Sequence, residues 1–528
     1  MSNHAYESAA ALRPSSNGPI PISTLCERFS LAPASAEDAA ALNDLSILGV
    51  SVDSADTAPG ELFVGLPGFT VHGARFAAQA VASGAVAVLT DADGAQIVHQ
   101  TAPGTPTLVH SDPRAVVGPL SAEVYHHPAR GLVTTAVTGT NGKTTTAYFL
   151  DAILSAHVGG CMVAGTVELR VGERSVESPR TTVEAPVLQR MMALAVEDRV
   201  GAASLEASSH AIVLHRLDGI VVDVAGFTNL QRDHLDFHKT MEGYLEAKAQ
   251  LFTPEHARRG VVCVDDQWGA TLAAEAPIEI DRVRAYPGDT PADWWVSDAA
   301  VSLTDSATTF TLHGPDGEQI EASCPLPGLV NVQNAALALV MAIRAGVPAA
   351  TAAAALAGAH NIPGRMQRIS QRDGRRGLCI VDFAHTPEAM ELALKAVRPV
   401  TPGRLIVVFG SDGDRDQGKR PMLGEVCARL ADVLVVTDEN PRSEDPQLIR
   451  NAILDGVRGV RPDLKDVEEI TTWRGDAVRR GVELCGPDDT VIVTGKGHEP
   501  FLEMAGEFIR YNDAPVMAEA VEEKWGRA

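Results

Sequence analysis

The chain has only seven cysteines in 528 residues, and no two form a CxxC pair. Cys26, Cys161, Cys263, Cys324, Cys379, Cys427 and Cys485 are odd in number and widely scattered. Neither a disulfide framework nor a structural zinc site is indicated, and a reducing cytoplasm is the expected location. Basic charge is also short: 44 Lys and Arg stand against 68 Asp and Glu, a net charge of −24. A nucleic-acid partner is therefore disfavoured, and an anionic substrate would need local basic pockets inside an acidic field. No apolar run is fit to span a bilayer. The Ala-rich stretch 335–357 is broken by Arg344 and Pro348 and reads as two packed helices, so no membrane insertion is expected. The polar start (Ser2, Asn3, His4, Glu7) lacks the apolar core of a signal peptide. Short-period repeats and low-complexity segments are missing as well.

What is present is an ordinary globular composition, 45% hydrophobic and 21% charged. The length is too great for one core and implies about two to four domains. Residues 1–20, with Pro14, Ser15, Ser16, Asn17 and Gly18, are expected to be disordered. Residues 21–129 alternate short apolar runs with helical spacing, a small α/β domain closed by the polar hinge Tyr125-His126-His127-Pro128. Over 130–361 strand and helix patterns repeat, the mark of a parallel sheet covered on both faces. Over 362–528, buried strands at 378–381, 405–409, 433–436 and 490–493 predict a third α/β domain.

The most informative stretch is Gly139-Thr140-Asn141-Gly142-Lys143-Thr144-Thr145-Thr146, directly after the β-rich run 132–137. Strand, glycine turn and helix start aim backbone N–H groups and the positive end of a helix at an anion. Lys143 supplies a point charge for the β/γ-phosphates and Thr144 a hydroxyl for magnesium. Full Walker A spacing would put glycine at 137, where Val137 stands, so the loop is a shorter variant.

Other constellations follow in chain order. Glu206, in Glu206-Ala207-Ser208-Ser209-His210, ends an apolar run on the ligand edge of an α/β sheet; the alternative is a surface glutamate. The loop 229–238 packs His234, His238, Asp233 and Asp236 together, which suits a divalent metal or acid–base work. Lys248 falls on the apolar stripe of Met241, Tyr244, Leu245, Leu251 and Phe252. There it must snorkel, pair or lose its charge, and a neutral amine can take up carbon dioxide as a carbamate. Asn331 and Asn334 open a helix and either read an adenine edge or cap it. Four polar loops, 382–387, 410–421, 438–442 and 495–499, sit at successive strand ends and mix Arg with Asp and Glu, as a zwitterionic ligand requires.

Together and in this order, GTNGKTTT, EASSH, DHLDFH, the 244–252 segment with Lys248, DFAHTP, GDRDQGKRP, DENPR and GKGHE resemble the Mur ligase family of ATP-dependent amide-bond-forming enzymes. The resemblance runs from about residue 48 to near the C-terminus. It implies an α/β protein of three domains: a small N-terminal domain for a uridine nucleotide, a central P-loop ATPase with a parallel sheet, and a C-terminal Rossmann-like domain for the amino acid. It implies ATP held by Gly139, Thr140, Asn141, Gly142, Lys143, Thr144 and Thr145, with Asn331, Asn334, Arg365 and Asp382 at adenine, phosphate and ribose. Thr144, Glu206 and His234 would serve Mg2+, and Lys248 would carry the carbamate. Lys143, Glu206, His234 and Lys248 are thus the implied catalytic set. Ser54 would contact uridine, and Thr181, Thr182, Ser208 and Arg216 the muramoyl-dipeptide. Arg415, Asp438, Asn440, Arg442, Gly495 and Glu499 would hold the incoming amino acid. The implied partners are UDP-N-acetylmuramoyl-L-Ala-D-Glu and meso-diaminopimelate, joined through an acyl phosphate by a monomer; a lysine-adding enzyme and a non-catalytic subunit are the alternatives.

Four stretches depart from the family pattern. Ala55 stands in place of an arginine in the uridine loop, and Arg180-Thr181-Thr182-Val183 in place of Asn-Thr-Thr-Pro. Leu214 replaces a common glutamine and Ser411-Asp412 a usual Cys-Gly. Arg180 would compensate by adding a charge for the pyrophosphate or the glutamate.

Overall fold

A computed structural model describes residues 11–302, 307–359 and 361–526. The chain forms two compact units, one running to Trp295 with Gly314–Asp316 and Ala336–Ala355, the other comprising Val296–His313, Gly317–Ala335 and Leu356 onward.

In the first unit, a five-stranded sheet has the order Ala32–Pro33, Thr107–Val109, Ala87–Thr90, Glu61–Val64, Gly49–Ser51, all parallel except the first pair. Its apolar face packs against Leu25, Val117 and Leu120. The polar hinge that follows is two residues in the left-handed region, His126 and His127, before a short 3-10 turn.

A second sheet runs in the order Cys161–Ala164, Ala202–Glu206, Val133–Thr138, Val224–Phe227, Arg259–Cys263, Glu279–Arg284, all parallel. Val133–Thr138 is rich in β-branched residues, fits a pleated surface covered on both sides, and is buried along nearly its whole length. Register places Glu206 beside Val137 and Phe227 beside Thr138, so the loops after three neighbouring strands leave from one edge. The chain lays strands first to one side of Val133–Thr138 and then to the other, and doubly wound sheets bind ligands at such a switch point.

Residues 1–10 lie outside the described ones. Residues 11–18 depart from the expected disorder: Leu12 is fully buried in the apolar cluster of Leu188 and Met191, and Arg13 pairs with Asp56 and Glu61. One apolar side chain and one cation with buried partners outweigh the Pro/Ser/Gly composition that suggested a loose tail.

The second unit carries a six-stranded sheet, ordered Gln367–Ser370, Leu378–Val381, Thr490–Val493, Leu405–Phe409, Val433–Val436, Val467–Glu469 and parallel after the first pair. The four strands expected from apolar runs are all present, and the loops after 381, 409, 436 and 493 share an edge. The Ala-rich stretch forms the helices Leu329–Arg344 and Ala349–Ala357. Among the described residues no helix is long and apolar enough to cross a membrane. All seven cysteines are free thiols.

Candidate functional site

The glycine turn after Val133–Thr138 has the geometry its sequence demands. Gly139 has φ 141° and a Cβ there would lie 1.9 Å from Thr228 Oγ1, while Gly142 has φ 92° immediately before helix Lys143–Val158. The turn is laced to the next loop: Thr140 N donates to Asn229 O (2.9 Å), Asn141 N to Asn229 Oδ1 (3.1 Å) and Thr228 Oγ1 to Asn141 O (2.6 Å). Lys143 Nζ curls over the turn and donates to Gly139 O and Thr140 O, both at 3.0 Å.

Lys248 does not snorkel. It lies on helix Met241–Ala249, is 1% exposed, and donates from Nζ to Gly139 O at 2.8 Å. The Tyr244 ring centroid is 4.5 Å from the same nitrogen. Burial, and then the charge of Lys143, hold the Lys248 ammonium well below the usual lysine range, with Asp233 opposing.

Glu206 is buried as well, 1% exposed, which removes the surface-glutamate reading. It accepts from Thr144 Oγ1 (3.0 Å), Thr166 N (2.8 Å) and Thr166 Oγ1 (2.9 Å). Gly165 makes room, since a Cβ there would stand 2.3 Å from Glu206 Oε1. Thr166 carries no sequence signal beyond following a strand; its role appears only once the sheet is assembled.

His234 sits in the left-handed region (φ 52°) with Nε2 3.3 Å from Asp233 Oδ2. Its ring lies edge-on to His210 at 4.9 Å and to Tyr244 at 6.2 Å. His238 stacks on Tyr244 and shares a hydrogen bond with Ser209 Oγ at 2.9 Å. His210, present in the EASSH motif but given no role, is thus the hub of an imidazole cluster. The side chain of Asp236 lies outside the described ones. Among the described residues no three His, Cys, Asp or Glu groups form a metal cage. The oxygen pair that fits a hard divalent cation is Thr144 Oγ1 with Glu206.

The four residues expected at the dipeptide converge. Thr182 Oγ1 donates to Glu206 O (2.7 Å) and accepts from Ser208 N (3.0 Å). Thr181 Oγ1 accepts from Thr166 Oγ1 at 3.2 Å, and Arg216 Nη1 donates to Thr182 O at 3.1 Å. Beside them is a cavity of about 200 Å³ lined by Ser51, Asp53, Asp56, Arg114, Arg180 and Glu184 among others. Arg180 and Arg216 share the Glu184 carboxylate at 2.9 and 3.0 Å. Arg216 Nε is buried without a hydrogen-bond partner among the described residues. Burial lowers the Arg216 pKa, and the nearby Arg180 and Arg114 lower it further. Arg114 and Arg180 thus face the cavity together with three carboxylates, Asp53, Asp56 and Glu184. Ser54 is turned aside, donating to Gln79 Oε1 at 3.0 Å.

In the second unit, Asn331 Nδ2 donates to Pro327 O (2.8 Å), and Asn334 Oδ1 is buried with no partner among the described residues. Asp382 accepts from Met366 N (2.8 Å) and Ala384 N (2.9 Å), and burial raises its pKa. The Arg365 guanidinium lies 4.3 Å over the Phe383 ring. Fully buried Lys496 donates to Asn440 Oδ1 (2.9 Å) and Glu499 Oε2 (3.1 Å), and Asn440 Nδ2 donates to the same Glu499 oxygen at 3.1 Å. Among the described residues Arg442 has only loose ion pairs, 3.8 Å to Asp412 and 3.7 Å to Glu503. Gly495 (φ 108°) abuts Glu439, whose buried carboxyl is pushed up to about 8, first by burial and then by Asp412. Two expected members stand apart: Asp438 is paired with Arg450, and Arg415 is exposed on its loop. Lys496 and Glu439 were passed over by the sequence reading although their motifs contain them.

Three family descriptions match the chain: "Mur ligase family, catalytic domain" over residues 46–123, "Mur ligase middle domain" over 137–342 and "Mur ligase, glutamate ligase domain" over 364–497. A UDP-N-acetylmuramoyl-L-alanyl-D-glutamate–2,6-diaminopimelate ligase of Streptomyces coelicolor is 43% identical across 91% of this chain and 93% of its own. The chain belongs to the Mur ligase family. It has that family's three-domain α/β architecture and is an ATP-dependent, peptide-forming ligase. A UDP-N-acetylmuramyl-tripeptide synthetase of Leifsonia xyli is 42% identical across 95% of this chain and 96% of its own. A solved structure of a UDP-N-acetylmuramoyl-L-alanyl-D-glutamate–2,6-diaminopimelate ligase superposes with a TM-score of 0.64 at 31% identity, covering 90% of this chain and 95% of that one.

Proposed function

We propose that the chain joins meso-2,6-diaminopimelate to UDP-N-acetylmuramoyl-L-Ala-D-Glu, a step of peptidoglycan precursor synthesis in the cytoplasm, and does so as a monomer. The observation that carries this reading is the pairing of a phosphate-binding turn and a buried Thr144–Glu206 oxygen pair with an adjoining cavity lined by Arg114, Arg180 and carboxylates. Relatives above 40% identity over nine-tenths of the chain are named UDP-N-acetylmuramoyl-L-alanyl-D-glutamate–2,6-diaminopimelate ligases.

A free carboxylate is a poor electrophile. A γ-carboxylate oxygen of D-Glu attacks the γ-phosphorus of ATP, ADP leaves, and an acyl phosphate results. The amine of diaminopimelate then attacks the acyl carbon, phosphate departs with that carboxylate oxygen, and the amine releases a proton. Lys143 neutralises charge on the γ-phosphoryl oxygens, and turn N–H groups orient the phosphate chain. Thr144 and Glu206 would hold Mg2+, with His234 at the rim, and the ion would supply charge neutralisation on the phosphate oxygens. Thr166 fixes the Glu206 carboxylate so that its lone pairs face Thr144.

Lys248 is suited to a carbamate. A neutral amine attacks carbon dioxide, a C–N bond forms and a proton is lost, so a neutral group 2.8 Å from Gly139 O becomes an anion beside Lys143. In the C-terminal region, Arg442 is available for the distal carboxylate and Glu499 for the distal ammonium. Lysine lacks that carboxylate and would leave Arg442 short of a partner, a cost of roughly 1–3 kcal/mol. We assign 21–129 to the nucleotide sugar, 130–361 to ATP and 362–528 to the amino acid.

The experiment is phosphate release with ATP, Mg2+ and UDP-N-acetylmuramoyl-L-Ala-D-Glu, with meso-diaminopimelate or L-lysine and the product weighed by mass spectrometry. Release and mass gain with diaminopimelate alone are expected. Turnover with lysine alone would overturn the specificity; silence with both would overturn the ligase reading for these substrates.

A further inference from the structure

Asp56, at the rim of the cavity, is held in a way that ligand binding does not require. Its carboxylate is nearly shut off from solvent and takes a guanidinium on each oxygen: Arg190 Nη1 on Oδ2 at 2.9 Å and Arg13 Nη2 on Oδ1 at 3.2 Å. Arg13 Nη2 also donates to the Asp56 carbonyl, and Arg13 Nη1 to the buried carboxylate of Glu61. Two cations and two anions thus form a charge-balanced set. Tyr125 packs against the set, and burial followed by Glu61 pushes its phenol up to about 12, so it stays neutral.

The loop that Asp56 closes is the one carrying Ser54. Asp56 N donates to Asp53 O (3.1 Å), Asp53 Oδ1 accepts from Ala55 N (2.9 Å), and Ser51, Asp53 and Asp56 line the cavity. The two arginines reach it from distant parts of the sequence. Arg190 belongs to helix Ala185–Glu197. Arg13 belongs to a segment anchored at both ends. Leu12 is buried in the apolar cluster of that same helix, and Ser15 N donates to Glu197 Oε2 at 2.9 Å. Asn17 Nδ2 donates to Leu48 O at 2.6 Å and Val124 O at 3.0 Å. Residues 12–17 therefore run as a strap from helix Ala185–Glu197 to the sheet that carries the loop.

We propose that this strap, through Arg13, positions the 53–56 loop for the nucleotide-sugar substrate. Arg13 touches no reacting atom and acts only through Asp56, as a positioning residue; the inference rests on reading the cavity as the nucleotide-sugar site. A carboxylate gripped from two sides has one orientation. With Arg13 gone, Asp56 and Glu61 keep buried charge without full compensation and regain hydration by moving the loop outward. Lysine cannot replace the guanidinium fork that reaches Asp56 and Glu61 together.

The test is steady-state kinetics of the full-length wild type, Arg13→Ala and Arg13→Lys, varying UDP-N-acetylmuramoyl-L-Ala-D-Glu and, separately, ATP. Arg13→Ala is expected to raise the nucleotide-sugar KM about tenfold while the ATP KM and kcat stay within about twofold, and Arg13→Lys to fall between. Calorimetric titration of the nucleotide-sugar should show the same ratio in Kd. An unchanged nucleotide-sugar KM would overturn the proposal. So would parallel losses in kcat, ATP KM and Tm, which mark a general loss of structure. A wild type that binds no nucleotide-sugar would overturn the reading of the cavity itself, whereas a normal wild type with unshifted variants would sink the strap alone.

Discussion

The ammonium groups of Lys143 and Lys248 meet at one acceptor, the carbonyl oxygen of Gly139, at 3.0 and 2.8 Å. Two cations on one neutral oxygen, one of them buried, is an arrangement that favours neutral Lys248. Its amine is neutral in both folded and unfolded chains above the ordinary lysine value of about 10.4. As pH falls below that value the unfolded chain takes the proton first, and folding pays a growing penalty until the lowered folded pKa is passed. In CO2-free buffer, Lys248→Met is therefore expected to melt above wild type at neutral pH, with the gap closing as pH rises toward 10. A gap that widens with pH would contradict the assignment.

Loss of Lys248 should also be partly repaired from outside if a carbamate is the working form. Lys248→Ala is expected to lose at least about a hundredfold in kcat and to recover part of it with a short carboxylic acid such as acetate or formate. Carbon-13 NMR of wild type in labelled bicarbonate, lost in the variant, is the direct check.

Glu206 accepts three hydrogen bonds in a buried position; the isosteric Glu206→Gln keeps the volume, removes the charge and turns one accepting oxygen into a donor that the Thr144 and Thr166 hydroxyls can accept. A kcat lowered by about 10²–10³, together with a higher Mg2+ requirement, is expected from steady-state rates across a magnesium titration. Gly139→Ala acts by geometry instead. Its Cβ collides with Thr228 Oγ1 and its φ is strained, so a loss of about 1–3 kcal/mol in denaturant unfolding is expected along with turnover.

Glu439 predicts a pH signature of opposite sign to that of Lys248. Its folded pKa, about 8, lies above the ordinary glutamate value, so stability falls as pH rises from the mid-4s to about 8 and is level beyond. Glu439→Gln should flatten that part of a Tm-against-pH curve and melt above wild type at pH 8. A wild-type curve with no slope there would refute it.

Much of this was legible from residue order. The turn 139–142 announced itself because glycine at positive φ leaves a local trace, and the strands in 362–528 because buried parallel strands read as unbroken apolar runs. Lys248 stood out because it interrupts an apolar stripe. What escaped notice depends on long-range closure. Thr166 meets Glu206 across 40 residues and Arg190 meets Asp56 across 134, with no local pattern to mark either. Composition misled at 11–18, where one leucine and one arginine decide the outcome.

The most direct measurement follows an oxygen atom. UDP-N-acetylmuramoyl-L-Ala-D-Glu labelled with oxygen-18 in the γ-carboxylate is turned over with ATP, Mg2+ and meso-diaminopimelate, and the released phosphate is weighed. Activation through an acyl phosphate predicts one oxygen-18 in each phosphate formed by tripeptide synthesis. Unlabelled phosphate released in step with tripeptide would contradict it.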